Sequence, residues 1–368
     1  MSFNPQQIAA INVGGVSMTQ WVRVDVEREW GTTWSFANFE AVEAAAMRQP
    51  IMMPQAMPEA APATVTLGGQ LAISGKVYRR AVDYTKDSHN VQIGIWSGTR
   101  LATDQSVKAA PGEYVNQTLT QVTNAVLAPI GLKAVVAAGP GASLPFPVVR
   151  ETPGETVIEF VERLARHRGM HISDDQSGNT LHFNPLTLPS GGGADFVEGG
   201  NIIRGRILIQ SEYATAKVET KSQPPATSKT NTASIPNAEA VATGQGAANV
   251  GVTNPTPYRL IVAELPSNQQ ELALRLGHQV VLDQMKTCMV TVTVDGWFDP
   301  NGQLWLNKIG NEMTKATLKS PMLVPTDVGQ PTWFVKRVRS YQSNQEGTMT
   351  DITICTVVGM SSQPQVGP

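Results

Sequence analysis

The run Met289-Val290-Thr291-Val292-Thr293-Val294-Asp295-Gly296-Trp297-Phe298-Asp299-Pro300-Asn301-Gly302-Gln303-Leu304-Trp305-Leu306 decides how this chain is read. Val290, Val292 and Val294 alternate with Thr291, Thr293 and Asp295, the period of a half-buried strand. Asp299-Pro300-Asn301-Gly302 has turn chemistry: proline fixes φ, and Asn-Gly tolerates positive φ. A second strand is expected from Gln303, giving a hairpin flanked by Trp297 and Trp305. The run offers no catalytic chemistry. It turns the question from which reaction to which assembly.

At 368 residues the chain exceeds one ordinary core, so two to four domains are expected. Charged residues make up 16% against 41% hydrophobic, and the net charge is −2. That balance gives no electrostatic drive toward nucleic acid or anionic lipid. Cys288 and Cys355 are far apart in apolar, strand-like contexts, and read as reduced core thiols. No stretch reaches the roughly 20 apolar residues of a membrane span. The start, Met1-Ser2-Phe3-Asn4-Pro5, lacks signal-peptide character, so a soluble product made in a cytoplasm is expected.

Working outward, the first hundred residues read as β. Trp21 to Glu27 alternates, Trp34 to Phe39 follows, and Val91, Ile93 and Ile95 mark another strand. Thr64 to Leu67, Gly68-Gly69 and Gln70 to Val77 form a glycine-turn hairpin, with a bulge or bend at Gly75. The Met- and Pro-rich residues 46–63 predict a long loop or arm. Helices are expected over Asn116 to Ala128 and from Thr152, read as cap of Thr152-Pro153-Gly154-Glu155, to Gly169. Val157, Phe160, Val161 and Leu164 give the second helix its apolar face. Met170 to Ser173 and Thr180 to Phe183 are short strands around Asp174-Asp175. Ile202 to Gln210, Tyr213 to Glu219 and Tyr258 to Leu265 read as strands, and residues 222–257 as a polar mobile loop. Ser267-Asn268-Gln269-Gln270 fits a capping box opening a helix to about Met285. Trp333 to Val338 and Ile352 to Val358 close the fold.

Few residues form a chemical constellation. Of the histidines His89, His167, His171, His182 and His278, the pair His167 and His171 has metal spacing, but Gly169 separates the two. His171 and His182 across the short hairpin, with Asp174 and Asp175, are the candidate metal cluster of a hydrolase. An exposed cross-strand pair is the plainer reading. Glu27 and Glu29 lack acid–base partners, and no nucleophile elbow, Walker sequence or zinc-protease helix occurs. Lys336-Arg337-Val338-Arg339 and Arg163, Arg166 and Arg168 read as solvated faces or subunit contacts. The seven tryptophans, Trp21, Trp30, Trp34, Trp96, Trp297, Trp305 and Trp333, lie in β regions as core or interface anchors. No catalytic, cofactor-binding or metal residue is assigned.

The order of these pieces resembles the central baseplate hub proteins of contractile phage tails, in particular the Mu-like hub within the late-control-protein-D family. The likeness is carried by Asp295-Gly296-Trp297 leading into Gly302-Gln303-Leu304-Trp305, by Gly68-Gly69-Gln70 with Gly75 following, by Asn116-Gln117-Thr118-Leu119 and Glu155-Thr156-Val157 opening two helices, and by Asn201-Ile202-Ile203 through Ser211-Glu212-Tyr213. It spans residues 15–357. It implies a mainly β fold with an α+β insert: two tail-tube-like antiparallel β-barrels and small α+β domains. The corresponding ranges are 1–102 for the first barrel, 103–198 for the α+β insert, 199–222 with 289–358 for the second barrel, 223–288 for a loop and strand-helix insert, and 359–368 for a tail. It further implies a non-enzymatic homotrimer in the virion tail baseplate, assembled in the host cytoplasm. Its ring would join a hexameric tail tube to a trimeric central spike, contact neighbouring baseplate proteins and pass DNA. Segments 46–63 and 222–257 have no clear counterpart in that family, and no wall-degrading domain is visible. Gly-Gln-Leu occurs at both turns, Gly69 to Leu71 and Gly302 to Leu304. If that marks an internal duplication, the 64–77 and 289–306 hairpins superpose after about 60° of rotation. Two rival readings are a glycan-binding module at 110–185 and a metal hydrolase using His171, His182 and Asp174.

Overall fold

In the computed structural model the described residues are 7–43, 58–86, 89–108, 112–186, 193–213, 217–222, 240–245, 258–265, 267–310, 313–324 and 332–356. Most of the 46–63 arm, much of the 222–257 stretch and the 359–368 tail lie outside them.

The described chain is mainly β. Its first part holds β1 (Ala9–Val13), β2 (Val16–Met18), β3 (Arg23–Glu29), β4 (Phe36–Glu43), β5 (Pro62–Leu67), β6 (Gln70–Tyr84) and β7 (His89–Ser97). An α+β module follows: β8 (Glu113–Gln117), α1 (Leu119–Leu127), β9 (Lys133–Val136), β10 (Phe146–Arg150), α2 (Val157–His167), β11 (Met170–Asp174) and β12 (Thr180–Pro185). Next come β13 (Gly193–Val197), β14 (Arg204–Ile209), β15 (Lys217–Ser222), β16 (Ala240–Gln245), β17 (Tyr258–Val262) and α3 (Gln269–Thr287). The last strands are β18 (Cys288–Asp295), β19 (Thr314–Lys319), β20 (Trp333–Ser343) and β21 (Gly347–Thr356).

Thirteen strands form one sheet, in the order β14-β18-β21-β20-β3-β4-β7-β6-β5-β1-β2, with β19 and then β13 branching from β20. Two runs of six strands follow one course through it. Chain order β1, β3, β4, β5, β6, β7 gives spatial order β3-β4-β7-β6-β5-β1; chain order β13, β14, β18, β19, β20, β21 gives β14-β18-β21-β20-β19-β13. Neighbours run antiparallel throughout, except that β13 and β19 are parallel where β1 and β5 are antiparallel. Both long strands carry a register shift, at Val77/Arg79 in β6 and at Val335/Arg337 in β20. β5 borders β6 as far as Lys76, and β19 borders β20 as far as Val335. Past its shift, β20 takes β3 as neighbour, from Arg337 opposite Glu29 to Ser343 opposite Arg23. That joint fuses the runs. Two separate barrels were expected; a continuous course of pairing links the two runs, and no pairing among the described residues closes either run on itself.

The alternation of the opening stretch is fulfilled. Val290, Val292 and Val294 are buried in one core with Val24, Val26, Val91, Ile93, Ile95 and Trp297. A second core lies within the module, where Val157, Phe160, Val161 and Leu164 of α2 meet Ile172, Leu181 and Phe183. A third joins Leu272 and Leu276 of α3 to Val218 and Ile261.

The second strand expected at Gln303 does not form. Phe298 and Leu304 make one isolated bridge, and Trp305–Lys308 is a 3-10 turn. Both edges of β18 are already taken by β14 and β21. The Asp299 carboxylate also accepts from the Asn301 and Gln303 N–H groups, each at 2.9 Å, and curls the chain. The two hairpins therefore do not correspond. By strand course the link after β18 matches the link after β4, and the Gly68-Gly69 turn matches the β19–β20 connection. The two Gly-Gln-Leu turns instead touch: Gln70 Nε2 donates to Gly302 O at 2.8 Å, and Leu304 N donates to Gln70 Oε1 at 3.3 Å.

Other boundaries move for local reasons. Gly154 has φ +87° and closes a turn, so the cap of α2 is Thr156 with Glu159, not Thr152. Asn268 with Glu271, rather than Ser267 with Gln270, caps α3. Asn116 and Gln117 finish β8, and Thr118 caps α1. The 222–257 stretch contains strand β16, and β5 already begins within the expected arm. The range 199–222 is divided, because β15 pairs with β16 and β17 outside the large sheet. Gly75 pairs in register and marks a close approach instead of a bulge: an added Cβ would lie 1.9 Å from Trp96 O. Gly75→Ala is expected to cost about 3 kcal/mol, read as a lower urea midpoint with unchanged slope. Wild-type stability would contradict that close approach.

Candidate functional site: the strand joint and the module junction

The joint between β3 and β20 is written in charge. Arg337 pairs with Glu27, and Arg339 reaches Asp25 with Nε at 2.9 Å and Nη2 at 2.5 Å. Lys336 lies 3.5 Å from Glu29. These carboxylates hold the Arg337 and Arg339 guanidiniums above their ordinary range, through side-chain hydrogen bonds first. Partly exposed pairs add little stability, but two-pronged arginine contacts fix register. The basic run expected as a solvated face or subunit contact is thus an internal seam.

The module meets the sheet at a second junction. Arg28 donates to Leu306 O and to Asp174 O, both at 3.4 Å, linking β3 to the opening stretch and to β11. Ser35 Oγ donates to the Asp174 carboxylate at 2.8 Å. Burial raises that carboxyl above its usual range, against the opposing pull of Arg28. Beside this, His171 stacks on Trp30 with ring centroids 3.6 Å apart, and His278 lies 6.5 Å from it. Both histidines line a cavity of about 380 Å³ with Trp30, Arg166, Lys286 and Lys336. Burial lowers His171 to about 3 and His278 well below the ordinary histidine value, so both are neutral. At the C-terminal end of α2, Arg168 pairs with Glu271 of α3 and donates to Pro145 O at 3.0 Å. Arg166 lies 3.6 Å from Glu264, and Arg163 pairs with Glu155 at 2.8 Å.

The residues of the hydrolase reading do not converge. His171 faces Trp30, Asp174 faces Ser35, and His182 reaches Asp175 at 3.5 Å in the β11–β12 turn. His167 sits on α2 and His171 on β11, as Gly169 requires, and the His89 side chain lies outside the described residues. Among the described residues no three His, Cys, Asp or Glu side chains are placed to hold a metal. Cys288 and Cys355 are buried thiols, pushed by burial to about 11 and about 12. Trp30, Trp297, Trp305 and Trp333 are core. Half-buried Trp34 and Trp96 hold the Arg100 guanidinium 4.5 and 4.3 Å from their centroids. Arg28 and Glu271 were missed from the sequence. Glu271 is recoverable as the third residue after the true cap, whereas nothing local marks Arg28.

Comparison with known proteins follows this geometry. Residues 99–182 match the family model of the baseplate hub protein gp44-like, second domain. The baseplate hub protein gp44 of Escherichia phage Mu is 21% identical over 303 residues, covering 79% of this chain and 74% of the relative. The chain resembles the Mu-like baseplate hub proteins. The fold agrees along nearly its full length with the 43 kDa tail protein of prophage MuSo2 from Shewanella oneidensis, at 20% identity and TM-score 0.75, covering 95% of this chain and 98% of that one. A tail protein from Neisseria meningitidis MC58 gives 16% identity and TM-score 0.73, with 98% and 99% covered. The gp44-like match coincides with the α+β module and the helical turn Leu101–Asp104 before it. No helix among the described residues is long and apolar enough to cross a membrane.

Proposed function

We propose that the chain is the structural hub subunit of a contractile phage tail or a tail-like injection machine. Three copies form a ring that joins a hexameric tube to a trimeric spike and leaves an axial channel. The observation that carries this is the repeated six-strand course: one chain offers two similar surfaces, so three chains offer six. Each run is a tail-tube-like barrel in that ring, the first within 1–102 and the second within 193–213 and 288–356, so that β13 belongs to the second barrel and not to the insert before it. The module of β8 to β12 and the β15–β17 and α3 insert stand outside the repeat. Partners are tube, spike and neighbouring baseplate proteins, with DNA passing through the lumen. The place of work is the virion baseplate, after assembly in the host cytoplasm. The role is mechanical and needs no catalytic group. Purified protein is expected to weigh as a trimer and to show three-fold symmetry with an axial hole in negative-stain images. A monomer that persists when tube and spike proteins are added would refute the ring.

A further inference from the structure

The chain's one Asn-Gly step, its one Asp-Gly step and its one Asp-Pro step all fall between Asp295 and Gly302. Asn301-Gly302 is the most reactive of them near neutral pH. A glycine nitrogen has no side chain beside it to hinder attack on the asparagine amide. Glycine stands there for a conformational reason: Gly302 has φ +75°, which other residues rarely adopt. The residue that shapes the turn therefore brings the fragile step with it. Asn301 and Gly302 are both exposed, so water reaches them.

We propose that Asn301 is a deamidation site held latent by its turn, with Asp299 as the residue that keeps it closed. In an opened turn the Gly302 nitrogen gives its proton to hydroxide and attacks Asn301 Cγ. The N–Cγ bond forms and the Cγ–Nδ2 bond breaks; the departing nitrogen takes a proton from water and leaves as ammonia. Water then opens the succinimide at either carbonyl, giving aspartate or isoaspartate, and no other reactant is needed. The fold opposes the first step. Gly302 N donates to Asp299 O at 2.9 Å, which holds its proton and fixes its peptide plane. Asp299 Oδ1 accepts from Asn301 N and Gln303 N on either side of that plane, each at 2.9 Å. Lys308 Nζ, 2.8 Å from the other oxygen, anchors this buried carboxylate. Asp295-Gly296 is shut in the same manner: Gly296 N donates to Thr348 O at 3.0 Å, and Thr350 Oγ1 donates to Gly296 O at 2.7 Å. Either product at position 301 sets a second negative charge beside Asp299. Isoaspartate also lengthens the backbone by one carbon and displaces Gly302 O from Gln70. Deamidation thus loosens the clasp between the glycine turn of the first run and the opening stretch of the second.

The test incubates the full chain in mildly alkaline buffer and follows position 301 by peptide mass and isoaspartate content. Three hydrogen bonds hold the step, so folded protein is expected to react about a hundredfold more slowly than the same protein in urea. Asp299→Ala removes two of the three and is expected to react about thirtyfold faster than folded wild type. Glu271→Ala, which weakens the contact between α2 and α3 instead, is expected to leave the rate unchanged. Equal rates in buffer and in urea would overturn the latency. An Asp299→Ala rate no faster than wild type would overturn the role of Asp299. Equal acceleration by both variants would assign the reaction to global unfolding and overturn the local lock. Protein converted in urea and refolded is expected to melt at a lower temperature than unconverted protein. An unchanged midpoint would overturn the link between this step and the clasp.

Discussion

Taking the protein from pH 7 to about pH 4 is expected to remove on the order of 6 kcal/mol of stability through two histidines alone. His171 falls to about 3 through burial, and His167 to about 4 through burial and then Arg168. A histidine kept neutral by the fold takes up its proton only after unfolding. Between about pH 6.5 and the lowered value, the unfolded chain therefore binds more protons, and stability falls as pH falls. The contribution is complete above about pH 6.5 and is lost progressively toward pH 3. His278, also lowered, adds to the same trend. Asp175, Glu159 and Asp299, held below the usual carboxylate range, act in the same sense at lower pH, while Asp174 opposes them. Denaturant melts across this range, compared with His171→Phe, isolate the histidine part. Phenylalanine keeps the flat stack on Trp30 and should flatten the acid slope by about 3 kcal/mol at pH 4. Identical slopes in the two proteins would remove His171 from the account.

Glu271→Ala is expected to cost about 4 kcal/mol, because the carboxylate does two jobs at once. It accepts from the Asn268 N–H at 2.9 Å as the third residue of the α3 capping box, a contact worth about 1 kcal/mol. It also faces Arg168, whose side chain is fully buried with its guanidinium 3.9 Å from the Phe146 ring centroid. Removing one member of a buried pair strands the other charge and costs about 3–5 kcal/mol. Glu271→Gln keeps an acceptor for the cap and should lose about half as much. Replacing both partners, as Arg168→Met with Glu271→Leu, should recover most of the loss, since no charge is then left buried. Thermal melts give the ranking, and a double variant as unstable as Glu271→Ala would mean that shape rather than charge governs the site.

What could be read from the sequence was whatever a short window determines. The alternation of Val290, Val292 and Val294, the glycine turn at Gly68-Gly69, the apolar face of Val157 to Leu164 and the stop at Gly169 all depend on near neighbours. The mainly β character with an α+β insert followed from them. Readings failed where a distant partner or a one-residue shift decides. Gln303 reads as a strand start until β14 and β21 occupy both edges of β18. Thr152 reads as a cap until Gly154 turns left-handed. Arg337 and Arg339 read as solvated because their carboxylates lie more than 300 residues away. The two Gly-Gln-Leu turns pointed to a repeat for the wrong reason: they are a contact, and the repeat lies in strand order, which no motif displays. The expected assembly came from the resemblance to phage hubs and from none of these short windows.

The seam between β3 and β20 also sets a timetable. Asp25 and Arg339 stand 314 residues apart. At a synthesis rate of about 5–20 residues per second, β3 waits on the ribosome for roughly 15–60 s before its partner exists. During that interval its outer edge is an open template for any extended chain nearby. Asp25, Glu27 and Glu29 set like charges along that edge, which disfavours its pairing with another copy of itself. The carboxylates that fix register in the finished fold are the same charges that blunt the edge while it stands open.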